Sequence, residues 1–351
     1  MLALRLTLAV LLLAVPVCAK EPRAFPLQGD IVPAHDPAIV REGKTYYVFT
    51  TGKAAGGGQL GIRCSDDLIH WRHCGHVFDS VPSWITERSP GTKDLWAPDI
   101  SFVDGRYRLY YTYSVFGKNT SGIALATNVT LDPGNPNYKW QDEGMVFESK
   151  ASDDFNAIDP NYVEDASHQA WLAFGSFWSG IKLRLLDRKT GKLSNSDTTL
   201  YAIASRARPE GDSVSPPPGR PSGWQAIEAP FLVRHGSYYY LFVSFDFCCR
   251  GAKSTYRTMV GRAKTITGPY LDRDNKPMLQ GGGTPLLAAN QRWLGPGGES
   301  LLLQKHGPDL IVFHAYDPIS GKPSLQISTV TWKDGWPAAA VALSAPGNEA
   351  K

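Results

Sequence analysis

Short runs of alternating apolar and polar residues follow one another along this chain, and Gly, Pro, Asn and Asp residues separate them. Alternation of this kind predicts β-strands with one buried and one exposed face. Three of the runs are GKTYYVFTTG (43–52), GRYRLYYTYS (105–114) and GSYYYLFVSF (236–245). No amphipathic helix longer than a turn or two is predicted, so the expected fold class is all-β.

Five segments share one layout, which is an apolar first strand, a turn, an aromatic-rich second strand and a third strand. The first strands are predicted in AHDPAIV (34–40), LWAPDISFV (95–103), NAIDPNYV (156–163), AIEAPFLV (226–233) and GPGGESLLL (295–303). Corresponding positions of the second strands recur at steps of roughly 60–70 residues, and such a period is typical of a β-propeller. We therefore predict a single five-bladed β-propeller domain over residues 20–351, with the first strands around a central axis.

Carboxylates lie at the beginning of four of these first strands. Asp36, Asp99 and Asp159 each precede the Val of their strand by four residues, and Glu228 precedes its Val by five. Because side chains alternate along a strand, the three aspartates are predicted to share one register. An Asp before Pro is also an ordinary strand entrance, but four acids at one depth favour a common site. Paired carboxylates hydrolyse glycosidic bonds, and Glu228, with the longer side chain, suits the general acid.

Aromatic residues lie on the turns near these acids, namely Trp96, Phe116, Phe177 and Trp178. Sugar rings stack on aromatic faces, so these side chains suit a saccharide groove. The alternative is packing between blades, where propellers bury many aromatic residues. The tyrosines in the middle of the second strands are predicted to pack in this way.

The net charge of +3 is small and the Lys and Arg residues are scattered, so a nucleic-acid partner is not expected. The first 19 residues have Arg5 before an apolar run and end in Val17-Cys18-Ala19, which predicts a signal peptide cleaved after Ala19. The alternative, a membrane anchor, would need a longer apolar run than Leu6–Val17. The mature protein is therefore expected to be secreted or periplasmic, without membrane attachment.

Four cysteines remain after signal cleavage, and an exported chain favours disulfides. Cys64 and Cys74 flank a predicted hairpin and are expected to pair. Cys248 and Cys249 are adjacent, and a bond between them is also predicted. Buried free cysteines are the alternative for both pairs.

Other kinds of site find little support in the sequence. None of the eight His residues has a recognised metal-ligand spacing, and His35 and His314, next to the repeated strands, are interpreted as structural. The glycine-rich stretches 281–283 and 295–298 lack the strand–helix context of a phosphate site. The Pro-rich segment 206–223 is predicted to be a long exposed loop before the fourth first strand.

The motifs AHDPAIV, LWAPDI, NAIDPN, FGSFWSGI, AIEAPFLV, YYYLFVSFD, CCRG and HAYD, taken in order, resemble family 43 glycoside hydrolases, specifically the endo-1,5-α-L-arabinanases. The resemblance runs from about Asp30 to Trp336. It implies a five-bladed propeller that cleaves α-1,5-linked arabinan or arabino-oligosaccharides with inversion of configuration.

By motif, the resemblance implies that Asp36 is the general base, Glu228 the general acid and Asp159 the residue that orients the acid and raises its pKa. Asp99 is not among the three. The implied substrate-binding residues are Trp96, Phe116, Asn156, Ser176 and Trp178.

The sequence departs from this family at Gly298, where many relatives have a His that helps to hold a central metal ion. No metal ligand is therefore assigned, and a structural calcium or sodium ion remains an open expectation, with no cofactor expected for the chemistry. Alternatives on the same fold are an exo-acting arabinanase, an α-L-arabinofuranosidase or a β-xylosidase. More distant alternatives are a carbohydrate-binding propeller without catalysis and a protein-interaction propeller. The protein is expected to be a monomer.

Overall fold

A computed structural model describes residues 21–206 and 226–343. The predicted signal peptide lies outside the described residues, as does most of the Pro-rich segment 206–223. Within the described part, the strands form five sheets that follow one another along the chain. The predicted all-β, five-bladed propeller is confirmed.

Each sheet is one blade, and its strands run from the propeller axis outward in chain order, except that the first strand of the chain lies at the outer edge of blade 1. Blade 1 contains β1 (Gln28–Gly29), β2 (Ala38–Glu42), β3 (Thr45–Lys53), β4 (Gln59–Ser65) and β5 (His70–Phe78). Blade 2 contains β6 (Leu95–Val103), β7 (Arg106–Tyr113), β8 (Ser121–Asn128) and β9 (Gln141–Ser149). Blade 3 contains β10 (Asn161–Glu164), β11 (Ala170–Phe174), β12 (Ile181–Leu186) and β13 (Tyr201–Ala204).

Blade 4 contains β14 (Ile227–His235), β15 (Tyr238–Phe245), β16 (Arg257–Ala263) and β17 (Thr284–Leu287). Blade 5 contains β18 (Leu294–Leu302), β19 (Asp309–Tyr316), β20 (Pro323–Lys333) and β21 (Trp336–Ala338). A short helix, α1 (Ser83–Arg88), lies between blades 1 and 2, and single 3-10 turns occur at Gly251–Lys253 and Met278–Gln280. The innermost strands β2, β6, β10, β14 and β18 contact one another around the axis, and β18 contacts β2, so the ring is closed.

Five apolar clusters fill the spaces between neighbouring blades. Phe49 of β3 and Leu109 of β7, for example, belong to the cluster between blades 1 and 2, and both are fully buried. Because the middle strands are covered on both faces, they are apolar almost throughout. This explains the aromatic-rich second strands, and the tyrosines predicted to pack, such as Tyr110 and Tyr240, are buried.

The N-terminal segment joins the last blade to the first. Phe25 N–H donates to Ile327 O, and Thr329 N–H donates to Arg23 O, both at 2.9 Å, so this segment lies along β20 of blade 5. A few residues later, β1 pairs in parallel with β5 of blade 1. These bonds stabilise ring closure between the two blades that are most distant in sequence.

Four of the innermost strands begin with the same backbone kink. Asp36, Ala97, Asp159 and Ala229 each precede a Pro and have positive φ angles between 42° and 57°. In blade 5 the corresponding residue is Gly298, with φ 60°. Positive φ is uncommon for residues with a Cβ, and such residues cluster at functional sites. The kink turns these residues toward the mouth of the central channel.

The prediction that Asp99 shares the register of Asp36 and Asp159 is wrong. Asp36 and Asp159 precede the Pro of the kink, whereas Asp99 follows Pro98. The chain between that Pro and the aligned Val is two residues longer in blade 2 than in blades 1 and 3, which misled the alignment on Val. Asp99 therefore lies beyond the kink, deeper in the channel.

Candidate active site

The carboxylate of Asp36 is held at the channel mouth by two neighbours. Thr51, at the end of β3, donates its hydroxyl to Asp36 Oδ2 at 2.6 Å, and His35 Nδ1 lies 2.8 Å from the same oxygen. Thr51 in turn accepts the backbone N–H of Ala97 at 2.7 Å, which links the site to blade 2. The orientation of Asp36 is therefore fixed from two blades.

The environment of Asp36 favours its ionised form. Burial alone would raise its pKa, but His35, His314 and the Thr51 hydroxyl lower it to about 2. Burial and the neighbouring His35 lower the pKa of His314 well below its usual value, so that ring is neutral. Its Nδ1 accepts the backbone N–H of Asp36 at 3.2 Å. At neutral pH, Asp36 is thus an ionised carboxylate able to accept a proton.

Glu228 lies in β14, one residue before the kink of blade 4, and is 8% exposed. Ser176, in the turn after β11, donates its hydroxyl to Glu228 Oε2 at 2.6 Å. Tyr256, just before β16, donates its hydroxyl to Oε1. A hydroxyl can also accept a hydrogen bond from a protonated carboxyl group, so both contacts are compatible with either protonation state of Glu228.

Asp159 connects the acid to blade 3. Its Oδ2 accepts the backbone N–H of Ala229, the residue after Glu228, at 3.1 Å, and its own N–H donates to Thr112 Oγ1 at 3.1 Å. Burial, Glu228 and Asp36 raise the pKa of Asp159 well above its usual value. Asp36 and Asp159 also line one pocket at the propeller axis. The three predicted catalytic carboxylates therefore meet at one end of the channel, in three different environments.

The predicted substrate-binding residues differ in exposure. Phe116, in the turn after β7, is 77% exposed, and Trp96 is half-buried at the start of β6. Asn156 is buried, and its side-chain oxygen has no hydrogen-bond partner among the described residues. Ser176 contacts the acid directly. Trp178 is 3% exposed and packs with Phe177 and Phe247, so its ring forms part of the wall and not of an exposed platform.

Asp99 joins two blades. It accepts Tyr162 N–H at 2.7 Å and Asn161 Nδ2–H at 3.1 Å, both from β10. Burial raises its pKa to about 7, against these two hydrogen bonds. Glu299 of β18 has a similar environment, since it accepts the hydroxyls of Ser244 and Thr258 and burial raises its pKa to about 7. Both are carboxylates of the propeller wall.

Residues 31–337 match the sequence profile of Glycosyl hydrolases family 43. The chain belongs to this family. It is 43% identical over 305 residues to the extracellular endo-α-(1→5)-L-arabinanase 1 of Bacillus subtilis, and the alignment covers 86% of each protein. It is 42% identical over 311 residues to the extracellular exo-α-(1→5)-L-arabinofuranosidase ArbA of Cellvibrio japonicus, with 87% of this chain and 86% of that protein covered.

Among solved structures, the Cellvibrio cellulosa α-L-arabinanase complexed with arabinohexaose is similar, with a TM-score of 0.80 and 40% identity. The similarity covers 89% of this chain and 96% of that one. The protein is thus a family 43 glycosyl hydrolase, as the motifs predicted.

Residues missed by the sequence analysis complete the site of this family 43 enzyme. Thr51 and Tyr256 bond to Asp36 and Glu228, and Tyr316 bonds to His35. Two of them lay close to recognised motifs, since Tyr316 belongs to HAYD and Tyr256 follows CCRG by five residues. Thr51 gave no signal, because its role depends on the contact between blades 1 and 2.

Gly298 offers no side chain to an ion, so an ion here would depend on its neighbours His35, Asp36 and His314, whose ligand atoms lie within 4.8 Å of one another. A Cβ on Gly298 would lie 2.7 Å from Asp36 Oδ1 and 2.8 Å from His314 Cε1, so the space beside Gly298 is filled by Asp36 and the imidazole of His314. His314 and His35 are stacked, with ring centroids 3.8 Å apart and planes at 26°.

Both predicted disulfides are present. Cys64 pairs with Cys74 between β4 and β5, and Cys248 pairs with Cys249 in the turn after β15. Among the described residues, no helix is long and apolar enough to cross a membrane.

Proposed function

We propose that this family 43 enzyme hydrolyses α-1,5-linked L-arabinan with inversion of configuration. Asp36 is the general base, Glu228 the general acid and Asp159 the residue that positions the acid. The observation that carries the proposal is the difference in environment between the carboxylates. Asp36 is kept ionised by His35, whereas Asp159 has a raised pKa and bonds to the backbone next to Glu228. The two relatives named for α-(1→5)-L-arabinan activity support the choice of substrate.

In this mechanism a water molecule attacks the anomeric carbon while Asp36 accepts its proton. Glu228 donates its proton to the glycosidic oxygen as the bond between that oxygen and the anomeric carbon breaks. Asp36 ends protonated and Glu228 ionised, and exchange with solvent restores both. No step is assigned to a metal ion. Because displacement is single, the released sugar has the configuration opposite to that of the substrate.

The acid role of Glu228 is tested by Glu228→Gln. We expect kcat on arabinan to fall by about 10²–10⁴-fold, because proton donation to the leaving oxygen is lost. An aryl arabinofuranoside with a good leaving group should lose much less, since its departure needs little protonation. The matched control is Glu299→Gln, a buried carboxylate of the same channel, which should not show this dependence on the leaving group. Full turnover of arabinan by Glu228→Gln would remove Glu228 as the acid.

We further propose that cleavage is endo. Half-buried Trp96 directly precedes Ala97 of the kink, and exposed Phe116 follows the end of β7 that pairs with Trp96. Aromatic side chains in these places suit sugar units on both sides of the cleaved bond. The exo-acting relative is nearly as similar as the endo-acting one, so exo cleavage is the second candidate. On linear debranched arabinan, an endo enzyme lowers viscosity early, at a small yield of reducing ends. Slow viscosity loss with immediate short products would indicate exo cleavage, and no hydrolysis would reject the proposed substrate.

Two further points follow for the mature protein. We propose that residues 1–19 are removed during export, in line with the extracellular names of both relatives. N-terminal sequencing of the exported protein should begin at Lys20, and retention of Met1 would contradict the proposal. Proton NMR of the first product formed should show the inverted anomer, and a retained anomer would reject single displacement.

A further inference from the structure

A line of short polar contacts connects the vicinal disulfide to Asp36. The backbone N–H of Cys249 donates to the hydroxyl of Tyr316 at 2.9 Å. The same hydroxyl lies 2.8 Å from His35 Nε2, and His35 Nδ1 lies 2.8 Å from Asp36 Oδ2. The Tyr316 oxygen accepts from Cys249 and still has its own proton to donate, and His35 Nε2 lies within hydrogen-bond distance of it.

The direction of the bond between Tyr316 and His35 decides which nitrogen of His35 carries the proton when the ring is neutral. A neutral imidazole has one donor and one acceptor nitrogen, and the bond made by one nitrogen sets the role of the other. With Nε2 accepting from Tyr316, the proton is on Nδ1, facing the Asp36 carboxylate. In the other tautomer, the Nδ1 lone pair would face that carboxylate.

We propose that Tyr316 is a positioning residue that keeps His35 in the tautomer with Nδ1–H directed at Asp36, and that the Cys248–Cys249 turn keeps Tyr316 in place. The proposal rests on the proposed role of Asp36 as the base. It assigns a role to the CCRG and HAYD motifs, which lie in different blades and meet through the bond from Cys249 to Tyr316.

The surroundings of Tyr316 and His35 favour this arrangement. Tyr316 is 2% exposed, and burial raises its pKa, so it remains a neutral donor. His314 stacks on one face of His35 at 3.8 Å, which restricts rotation of the ring. A bond between adjacent cysteines closes a small ring, which restricts the backbone that presents the Cys249 N–H. Cys249 Sγ also lies 3.7 Å from His35 Nε2.

Other titratable groups also act on the pair formed by His35 and Asp36. Burial lowers the pKa of His35, but Asp36 and Glu228 together raise it by more, so the net shift is upward. The groups that couple to this pair from the other elements are Asp159, Glu228, Tyr256, Glu299, His314 and Tyr316. Because several of them titrate, the tautomer is best observed directly and not inferred from a pH profile alone.

The first experiment is nitrogen-15 NMR of histidine-labelled protein at a pH where His35 is neutral, with its signals assigned by His35→Gln. We expect a protonated Nδ1 and an unprotonated Nε2 in the unmodified protein. A protonated Nε2 would overturn the proposal without any variant or activity measurement.

The second experiment is Tyr316→Phe. We expect kcat to fall by about 5–10-fold, as for the loss of one hydrogen bond, with little change in KM because Tyr316 positions the base and is not proposed to bind the sugar. The Nδ1–H signal of His35 should weaken as the two tautomers mix. The matched control is Tyr46→Phe on β3, which removes a hydroxyl that donates to Gln304 and should change neither quantity. Equal behaviour of the two variants would overturn the proposal.

The role of the disulfide is tested with Cys248→Ala/Cys249→Ala, alone and combined with Tyr316→Phe. If the turn acts through Tyr316, loss of the disulfide lowers kcat when Tyr316 is present but has little further effect in the Tyr316→Phe background. Additive losses would reject that link. Cys64→Ala/Cys74→Ala, which removes the other disulfide, is the control. Turnover retained by Asp36→Asn would instead refute the proposed base, whatever the tautomer of His35.

Discussion

Asp159 bonds through its Oδ2 to the backbone N–H of Ala229, the residue directly after Glu228. The contact joins blades 3 and 4 at the channel mouth, where both residues have positive φ angles. Asp159 is not expected to exchange a proton with the substrate. Through this bond it fixes the strand that carries the acid. It also places a second titratable group beside Glu228, and burial together with Glu228 raises the pKa of Asp159.

Asp159→Asn should separate these two effects. The amide oxygen can still accept the Ala229 N–H, so the strand should stay in place and the melting temperature should change little. A pair of neighbouring carboxylates retains its last proton to higher pH than a single carboxylate does. We therefore expect the basic limb of the kcat/KM profile to move to lower pH.

Asp159→Ala also loses the hydrogen bond and is expected to lower kcat further and reduce stability. Both quantities are measured from kinetics across pH and thermal unfolding. A basic limb at the same pH in Asp159→Asn and the unmodified enzyme would show that Asp159 acts only through the backbone.

Asp99 should make stability depend on pH. Burial raises its pKa from 3.8 to about 7 in the folded state. A carboxyl group with a raised folded pKa stabilises the fold while protonated, and this contribution is lost as pH rises from about 3.8 to about 7. Asp99→Asn cannot titrate, and its amide hydrogens would face Asn161 Nδ2–H. The variant should therefore be less stable at pH 5, with a smaller deficit at pH 8.

The measurement is urea unfolding of both proteins across this range. Asp274→Asn, at an exposed site of blade 4, is the control, and its difference from the unmodified protein should not follow the same window. A deficit of Asp99→Asn that stays constant with pH would mean that Asp99 is ionised throughout.

The sequence predicted the five blades because each repeats the same pattern of apolar and aromatic strands, imposed by burial on both faces. It predicted Asp36, Asp159 and Glu228 because carboxylates recur at the beginning of the repeated first strands and because the motifs around these three resemble those of the family. It placed Asp99 wrongly, since strand length varies between the kink and the aligned Val. The partners Thr51 and Tyr256 were missed because they reach the site from other strands or blades, and such contacts depend on tertiary packing.

Removal of metal ions should leave catalysis intact. The proposed mechanism assigns no step to an ion, and Gly298 supplies no side chain that could hold one. After dialysis against EDTA in a potassium buffer, we expect kcat/KM on linear arabinan to be unchanged within the error of the assay. Loss of activity that calcium or sodium restores would show that an ion is held by other groups of the channel.

Gly298 should tolerate no side chain, for two reasons that can be separated. Its φ of 60° disfavours any residue with a Cβ, and an added Cβ would lie 2.7 Å from Asp36 Oδ1. Gly298→Ala should therefore reduce stability by more than the roughly 1–2 kcal/mol expected for the left-handed backbone alone. It should also lower kcat by about 10-fold or more, because a small displacement of a catalytic group is costly.

The control for this variant is Gly236→Ala. Gly236 has nearly the same φ, 59°, but a Cβ there meets nothing within 4 Å. It should lose stability through the backbone conformation alone and keep full activity. Unfolding free energies and kcat of the two variants separate backbone strain from displacement of the base. Equal unfolding free energies and equal kcat for Gly298→Ala and Gly236→Ala would contradict this explanation. Close packing of Asp36 and His314 would then not be the reason why position 298 excludes a side chain.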